Sequence, residues 1–270
     1  MRRFSNKIRS IARYNVLNIL GLFAKPKPGV HILGGHKITN ACGSGSIADR
    51  ERFDKLLCNL EKHCKLVRIE DALSLIINRT EVNEPIIAFT FDDGFDDCYD
   101  SIAPVLEKHG VNALFFINPN AATAASNHEE DYIINFANIV TVSPGKRPMT
   151  WEKIKDLKRR GFLFGAHTMD HYMLNHGSLE ELSAQIKNCK PIIEEKLGVS
   201  CDYFAWPYGT LANVNEKSID IATETYPLVF SQTDYKHYYS FDNKVLNRRH
   251  FEPWWPYLHV KYFISCHKAY

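Results

Sequence analysis

Short unbroken apolar runs and longer amphipathic stretches take turns along most of the chain. GVHILG (29–34), PIIAFTF (85–91), NALFFIN (112–118), FLFGAH (162–167), CDYFAWP (201–207) and LVFSQ (228–232) read as buried strands, with a shorter one at 65–69. Between them, 48–63, EDALSLIIN (70–78), DCYDSIAPVLEKHG (97–110), TWEKIKDLKRRG (150–161), SLEELSAQIKNCKPIIEEKLG (178–198) and NEKSIDIATET (215–225) space their apolar residues as helices do. Thr150 is placed to cap one of these helices and Gly110 to stop another. Residues 118–148 are less regular and read as an insertion. Alternation of this kind predicts an α/β fold with a parallel sheet. About seven such units, without a glycine-rich phosphate loop, predict a (β/α) barrel of about seven parallel strands rather than a dinucleotide-binding sheet.

At 270 residues and 45% hydrophobic composition, the chain can bury a large core as one unit. The expected division is a basic amphipathic segment at 1–28, ending in the linker-like KPKPG, and one domain at 29–270. In the first segment Phe4, Ile8, Ile11, Leu17 and Leu20 approximate a helical stripe beside Arg2, Arg3, Lys7, Arg9 and Arg13. Two readings stay open: a helix lying on an anionic membrane surface through residues 1–25, or a helix packed on the domain with a solvated basic face. The apolar run is interrupted by Asn15 and Asn18, lacks a small-residue cleavage site and is too short to span a bilayer. Net charge is +2, yet eight of the 33 Lys and Arg precede Asp49, the first acidic residue, leaving 25 basic against 31 acidic residues. A mildly acidic body argues against a nucleic-acid partner. The seven cysteines are never spaced as CxxC and write neither a disulfide framework nor a cysteine zinc site. Reduced thiols and a cytoplasmic location, with the membrane's inner face as the alternative, are the expectation.

The stretch IIAFTFDDGFDD (86–97) drives a buried strand into Asp92 and Asp93, side by side. Adjacent carboxylates are tolerated where something positive stands beside them. GAHTMDH and WPYG follow two further strands, so three unusual clusters fall at strand ends, where a barrel carries its chemistry. His167 and His171 stand four apart, and a helical turn there would aim both imidazoles at one divalent ion. An aspartate from another strand end completes an Asp-His-His set: one of the paired aspartates binds the metal, and the other stays free to take a proton. Asp96 and Asp97 open a helix and are assigned capping. The aromatic run FEPWWPY (251–257) reads as core packing, with sugar stacking or lipid docking as alternatives.

In this order and within this alternation, TFDDG (90–94), HTMDH (167–171) and FAWPYG (204–209) resemble the polysaccharide deacetylase family, the carbohydrate esterases sharing the NodB homology domain, over residues 29–250. The resemblance implies a distorted (β/α) barrel and a metal-dependent hydrolase that removes the N-acetyl group from an amino sugar of a glycan or a lipid-linked glycan precursor. It implies Asp92 as general base and the Tyr208 backbone N–H as an oxyanion donor. Asp93, His167 and His171 would hold one divalent ion, zinc first, with cobalt, nickel or manganese as alternatives. The Leu-x-His motif that many members carry near the C-terminus is absent. HILGGHKI (31–38) is similar instead to the circularly permuted branch, in which an early strand ends in Tyr-His, with Gly35 here in the tyrosine's place. His36 is therefore the expected general acid, and His250 of LNRRHFEP the alternative. The arginine that precedes Pro-Tyr in many members is missing, since Ala205 and Trp206 stand there, and Arg248 or Arg249 is the candidate to hold Asp92 charged. O-deacylation and a noncatalytic glycan-binding domain are the competing functions; a two-metal phosphoesterase lacks its second cluster.

Overall fold

A computed structural model describes residues 2–141 and 143–270, with side chains from Ile11 onward. From the N-terminus, α1 (Arg2–Phe23) precedes β1 (Gly29–Gly35), α2 (Ile47–Leu60), β2 (Lys65–Leu66), α3 (Ile69–Ile77) and β3 (Pro85–Phe91). A π-helical turn (Cys98–Ile102) runs into α4 (Ala103–Lys108), followed by β4 (Ala113–Ile117), α5 (Pro119–Asn127), α6 (Glu130–Val140), α7 (Trp151–Arg159) and β5 (Leu163–Ala166). The last part holds α8 (Leu179–Lys187), α9 (Cys189–Leu197), β6 (Tyr203–Ala205), α10 (Glu216–Thr225) and β7 (Leu228–Ser231). It ends with β8 (Tyr239–Ser240), β9 (Val245–Asn247), β10 (Arg249–His250) and α11 (Tyr257–Phe263).

Strands β1, β3, β4, β5, β6 and β7 are parallel neighbours in that order, with β2 against the start of β3 and β8 antiparallel to β9. β9 pairs in parallel with β7, and β10 with β1. One stretch, broken at Arg248, thus joins the two flanks and curls the sheet into a distorted barrel. Alternation along each strand then sorts the side chains. Leu33, Phe89, Phe91 and Phe115 point outward into the larger core beneath the helices. Ile32, Ala88, Leu114, Phe116, Ala205, Phe230 and Leu246 fill the interior. Space there is short: a Cβ on Gly165 would lie 2.7 Å from the Phe116 ring, so only glycine fits that layer.

Two expectations about elements need correction. The stretch 178–198 is two helices parted at Asn188, because Pro191 has no N–H to return to the Lys187 carbonyl. The insertion read as irregular is largely helical, its two pieces α5 and α6 separated by His128 in the left-handed conformation. α1 lies along α11: Gly21 is buried so close that a Cβ there would fall 2.2 Å from the Leu258 carbonyl oxygen, and His259 Nε2–H donates to the Tyr14 carbonyl, 3.2 Å. Leu17 turns inward with Gly21 and Leu20 is exposed, so the single stripe expected through both is split. The stripe's Phe4 and Ile8, with Arg2, Arg3, Lys7 and Arg9, lie outside the described side chains.

The capping expected of Asp96 and Asp97 is not the role their side chains take. Asp97 makes no capping hydrogen bond; it is buried, accepting from Lys146 Nζ at 2.6 Å and from the Ile38 N–H at 2.9 Å. That buried pair ties the segment after β1 to the rim of the barrel. Asp96 reaches Lys153 Nζ at 3.2 Å. Because a buried charge stripped of its partner costs several kcal/mol, Lys146→Met should lower unfolding stability by about 3–5 kcal/mol in urea titrations. Adding Asp97→Asn should restore part of the loss; a Lys146→Met protein as stable as wild type would show that the pair does not hold this rim.

Candidate active site

The parallel strands end together, and their inward positions continue into the mouth. Two residues beyond Thr90 is Asp92, beyond Gly165 is His167, beyond Phe230 is Gln232, and beyond Leu246 is Arg248. The period of two that filled the interior with apolar residues therefore puts these four polar side chains at one opening.

Asp93 departs from the strand with φ 72°, so its buried carboxylate turns across the mouth toward the end of β5. Its Oδ1 lies 3.4 Å from His167 Nε2 and 3.3 Å from His171 Nε2, longer than a good hydrogen bond, and has no partner among the described residues. His167 Nδ1–H donates to the Ala205 carbonyl at 2.7 Å, which in the neutral ring leaves Nε2 as a bare lone pair. A lone pair facing a carboxylate oxygen needs a cation between them. Asp, His and His are hard and borderline donors of the kind that hold zinc with positions left open, so the residues fit a divalent ion.

The expected helical turn between the two histidines is not what unites them. Thr168 and His171 adopt φ 63° and 57°, and the loop is shaped by outside support. Asn118 donates to the His167 and Thr168 carbonyls, and the Thr168 hydroxyl accepts the Tyr172 N–H. Asp170 accepts from Asn120, Tyr132 and Gln185. Asp170 thus anchors the loop and stays out of the site.

Asp92 is held from the opposite side. Arg248, fully buried, donates Nη1–H to Oδ1 at 2.7 Å and Nη2–H to Oδ2 at 2.9 Å, and Gln232 Nε2 donates to Oδ2 at 3.0 Å. Burial alone would raise this carboxyl, but the Arg248 charge and hydrogen bonds, together with the nearby His167 and His36, outweigh it and hold Asp92 below the usual carboxylate range. Arg249, the other candidate, points away: its guanidinium stacks 3.7 Å from the Phe263 ring centre and 4.1 Å from that of Tyr235.

His36 and His250 meet at Glu252. Glu252 Oε1 lies 2.8 Å from His36 Nδ1 and 3.1 Å from His250 Nε2, and the two rings pack edge-on at 5.4 Å. Burial works against charge on His36, but Glu252 and, farther off, Asp93 and Asp92 raise it to about 9. Tyr208, with φ 64°, lays its ring edge-on against His171 at 4.7 Å. Of the nine residues singled out from the sequence as base, acid, oxyanion donor, arginine or ligand, all but Arg249 therefore stand around one mouth. Glu252 and Gln232 were missed. A lone acid inside an aromatic run was the only sequence signal for Glu252, and Gln232 gave none. A second group, Asp54, Cys58 and His109, has both His109 nitrogens already bonded to the carboxylates of Asp54 and Glu61, so it makes a surface ion-pair cluster.

The sequence profile described as Polysaccharide deacetylase matches residues 79–225, which include Asp92, Asp93, both histidines and Tyr208. The chain belongs to the polysaccharide deacetylase family. A Bacillus subtilis (strain 168) protein named for the same family, YxkH, is 23% identical over 157 residues, 58% of this chain and 47% of that one. The chain spans less than half the length of the curated relatives it matches. IcaB from Ammonifex degensii shares the fold with a TM-score of 0.65 at 22% identity, over 90% of this chain and 99% of that structure. A de-N-acetylase from Aggregatibacter actinomycetemcomitans does so with 0.64 at 16%, over 87% and 98%.

Within this deacetylase fold the ligand set is testable apart from catalysis. His167→Ala and His171→Ala should each abolish stoichiometric zinc in mass-spectrometric metal analysis, whereas Asp92→Asn should retain it. Retention of zinc by both histidine variants would refute the Asp93, His167 and His171 assignment.

Proposed function

We propose that the chain is a metal-dependent N-deacetylase that releases acetate from an N-acetylated amino sugar of a glycan or lipid-linked glycan. The observation that carries this reading is the Asp93 carboxylate facing two histidine nitrogens, with a second carboxylate, Asp92, beside it but bound to Arg248. The name of the de-N-acetylase whose fold the chain shares supports the choice of bond. A divalent ion held by Asp93, His167 and His171 supplies, when bound, polarisation of the acyl carbonyl and a lowered pKa for water.

The chain's own residues provide the rest. Asp92, kept anionic by Arg248, has a lone pair left on Oδ1, where it accepts the proton of the attacking water. Attack at the acyl carbon creates a tetrahedral oxyanion. The Tyr208 N–H, which has no acceptor among the described residues, is turned by its left-handed backbone to donate to that oxygen. His36 delivers a proton to the leaving nitrogen as the C–N bond breaks, giving acetate and a free amine. Glu252 keeps His36 protonated at neutral pH and fixes its ring through Nδ1. His250 shares Glu252 but is the more exposed of the two rings, so it serves His36 by packing.

Acetate release from N-acetylated sugars, free, polymeric and lipid-linked, tests the activity; inactivity of the zinc-loaded protein against all three would sink it. The acid role has its own signature. A histidine of pKa about 9 is protonated at neutral pH and loses its proton as pH rises through that value, so kcat/KM should fall on the alkaline side near 9. In Glu252→Gln the anion that raises His36 is gone, and the falling limb should move at least about one pH unit toward acid. His36→Gln should lose ~10² to 10⁴-fold on amides and less on activated esters, whose leaving groups need no proton. An unmoved limb in Glu252→Gln would take the acid role from His36.

A further inference from the structure

α1 presents an apolar face that none of the described residues covers. Leu17, Asn18 and Gly21 turn toward α11; at about 100° per residue, the opposite side of the helix is Ala12, Val16, Ile19 and Phe23. Val16 is 52%, Ile19 58% and Phe23 81% exposed, with Ile11 and Leu22 exposed beside them. A helix packed on a soluble domain normally reserves that side for charged residues. Here the outward face is as apolar as the inward one.

Charge says what covers it. The first 27 residues hold seven Lys or Arg and no Asp or Glu. Two grooves flank the helix. One, of about 360 Å³, is lined by Leu17, Trp254, Trp255 and Phe263 with Arg13 and His259. The other, at the helix's end, carries Lys25 and Lys261 around Leu22 and Phe23. Neither groove includes an acidic residue. A second copy docking through the same face would bring like charges together across a two-fold axis. An anionic surface has the opposite sign, and no described helix is long and apolar enough to cross a membrane.

We propose that α1 is a peripheral anchor that lays Val16, Ile19 and Phe23 into the headgroup region of an anionic bilayer, with its cations over the lipid phosphates. The proposal goes beyond the deacetylation reading and stands without it. Its geometric consequence reaches the catalytic mouth, because Trp255 in the groove wall packs edge-on against His250 at 5.1 Å. The groove flanking the helix therefore touches the site through this one contact, and a substrate tethered to lipid would arrive on that side.

Co-sedimentation of the full chain with vesicles tests this without any substrate. The protein should bind phosphatidylcholine vesicles containing phosphatidylglycerol, bind pure phosphatidylcholine weakly, and release as salt is raised. Ile19→Glu with Phe23→Glu should lower partitioning about tenfold or more, and Arg13→Glu should weaken it with the apolar face intact. Both apolar positions are exposed, so far-UV circular dichroism should not change; should the double variant misfold, Ile19→Gln gives the same comparison. Equal binding to neutral and anionic vesicles, or a double variant that binds like wild type, overturns the proposal. So does a dimer in light scattering that the double variant dissolves while vesicles stay unbound.

Discussion

The mouth of the barrel depends on one buried ion pair, Arg248 with Asp92. Arg248 stands where the closing stretch changes partner, between β9 on β7 and β10 on β1. Its backbone N–H and its Nε–H both donate to the Ser231 carbonyl, at 3.0 and 3.2 Å, while Nη1–H reaches Thr90 and Asp92 on β3 and beyond. Its guanidinium also lies 4.9 Å from the Phe116 ring centre on β4. A single cation thus links the closing stretch to three other strands, and each of its nitrogens has an acceptor. Desolvating such a pair is expensive, and apolar residues of similar volume could fill the space at least as stably. Its retention is better explained by what it does to Asp92, which it keeps charged and aimed at the end of the barrel.

Strain and support divide the rest of the site between them. Asp93, Thr168, His171 and Tyr208 hold positive φ without being glycine, each a cost of order 1–3 kcal/mol that the surroundings must offset. The surroundings are visible. Asn118 grips two carbonyls of the histidine loop, Asp170 receives three donors, and the Ala205 carbonyl on β6 accepts the His167 Nδ1–H. None of these supports touches the space between Asp93 and the histidines. They hold unfavourable backbone conformations in place so that the lone pairs converge.

Much of this was legible in the sequence because the signals were local. Apolar runs marked the strands, and the clusters at their ends marked Asp92, Asp93, His167, His171 and Tyr208, since a parallel barrel collects strand ends at one rim. What stayed hidden depends on pairings between distant residues. Gln232 meets Asp92 across 140 positions. Arg248 and Arg249 were indistinguishable in sequence; only the parity of the closing stretch, inward at 246 and 248, sends one into the barrel and the other onto Phe263 and Tyr235. Asp97 looked like a cap because helix starts favour acids, and its real partner, Lys146, comes from the far end of the insertion. The left-handed turn that unites the histidines left no mark either, since Thr168 is a poor candidate for positive φ on residue type.

Two histidines on one carboxylate raise a last question of which proton goes where. Both His36 Nδ1 and His250 Nε2 approach the same oxygen of Glu252, so two imidazolium rings would share one negative charge while standing edge to edge. His36 is the one Glu252 holds most fully: Glu252 accepts from its ring and, more weakly, from its backbone N–H, and Asp92 and Asp93 add their fields to keep it charged. His250 instead turns its ring against Trp255, which belongs to the apolar wall beside α1. Glu252 therefore sits between a charged mouth and an aromatic flank. Through Trp255 and His250, an unbroken line of contacts runs from that flank to the oxygen that holds His36.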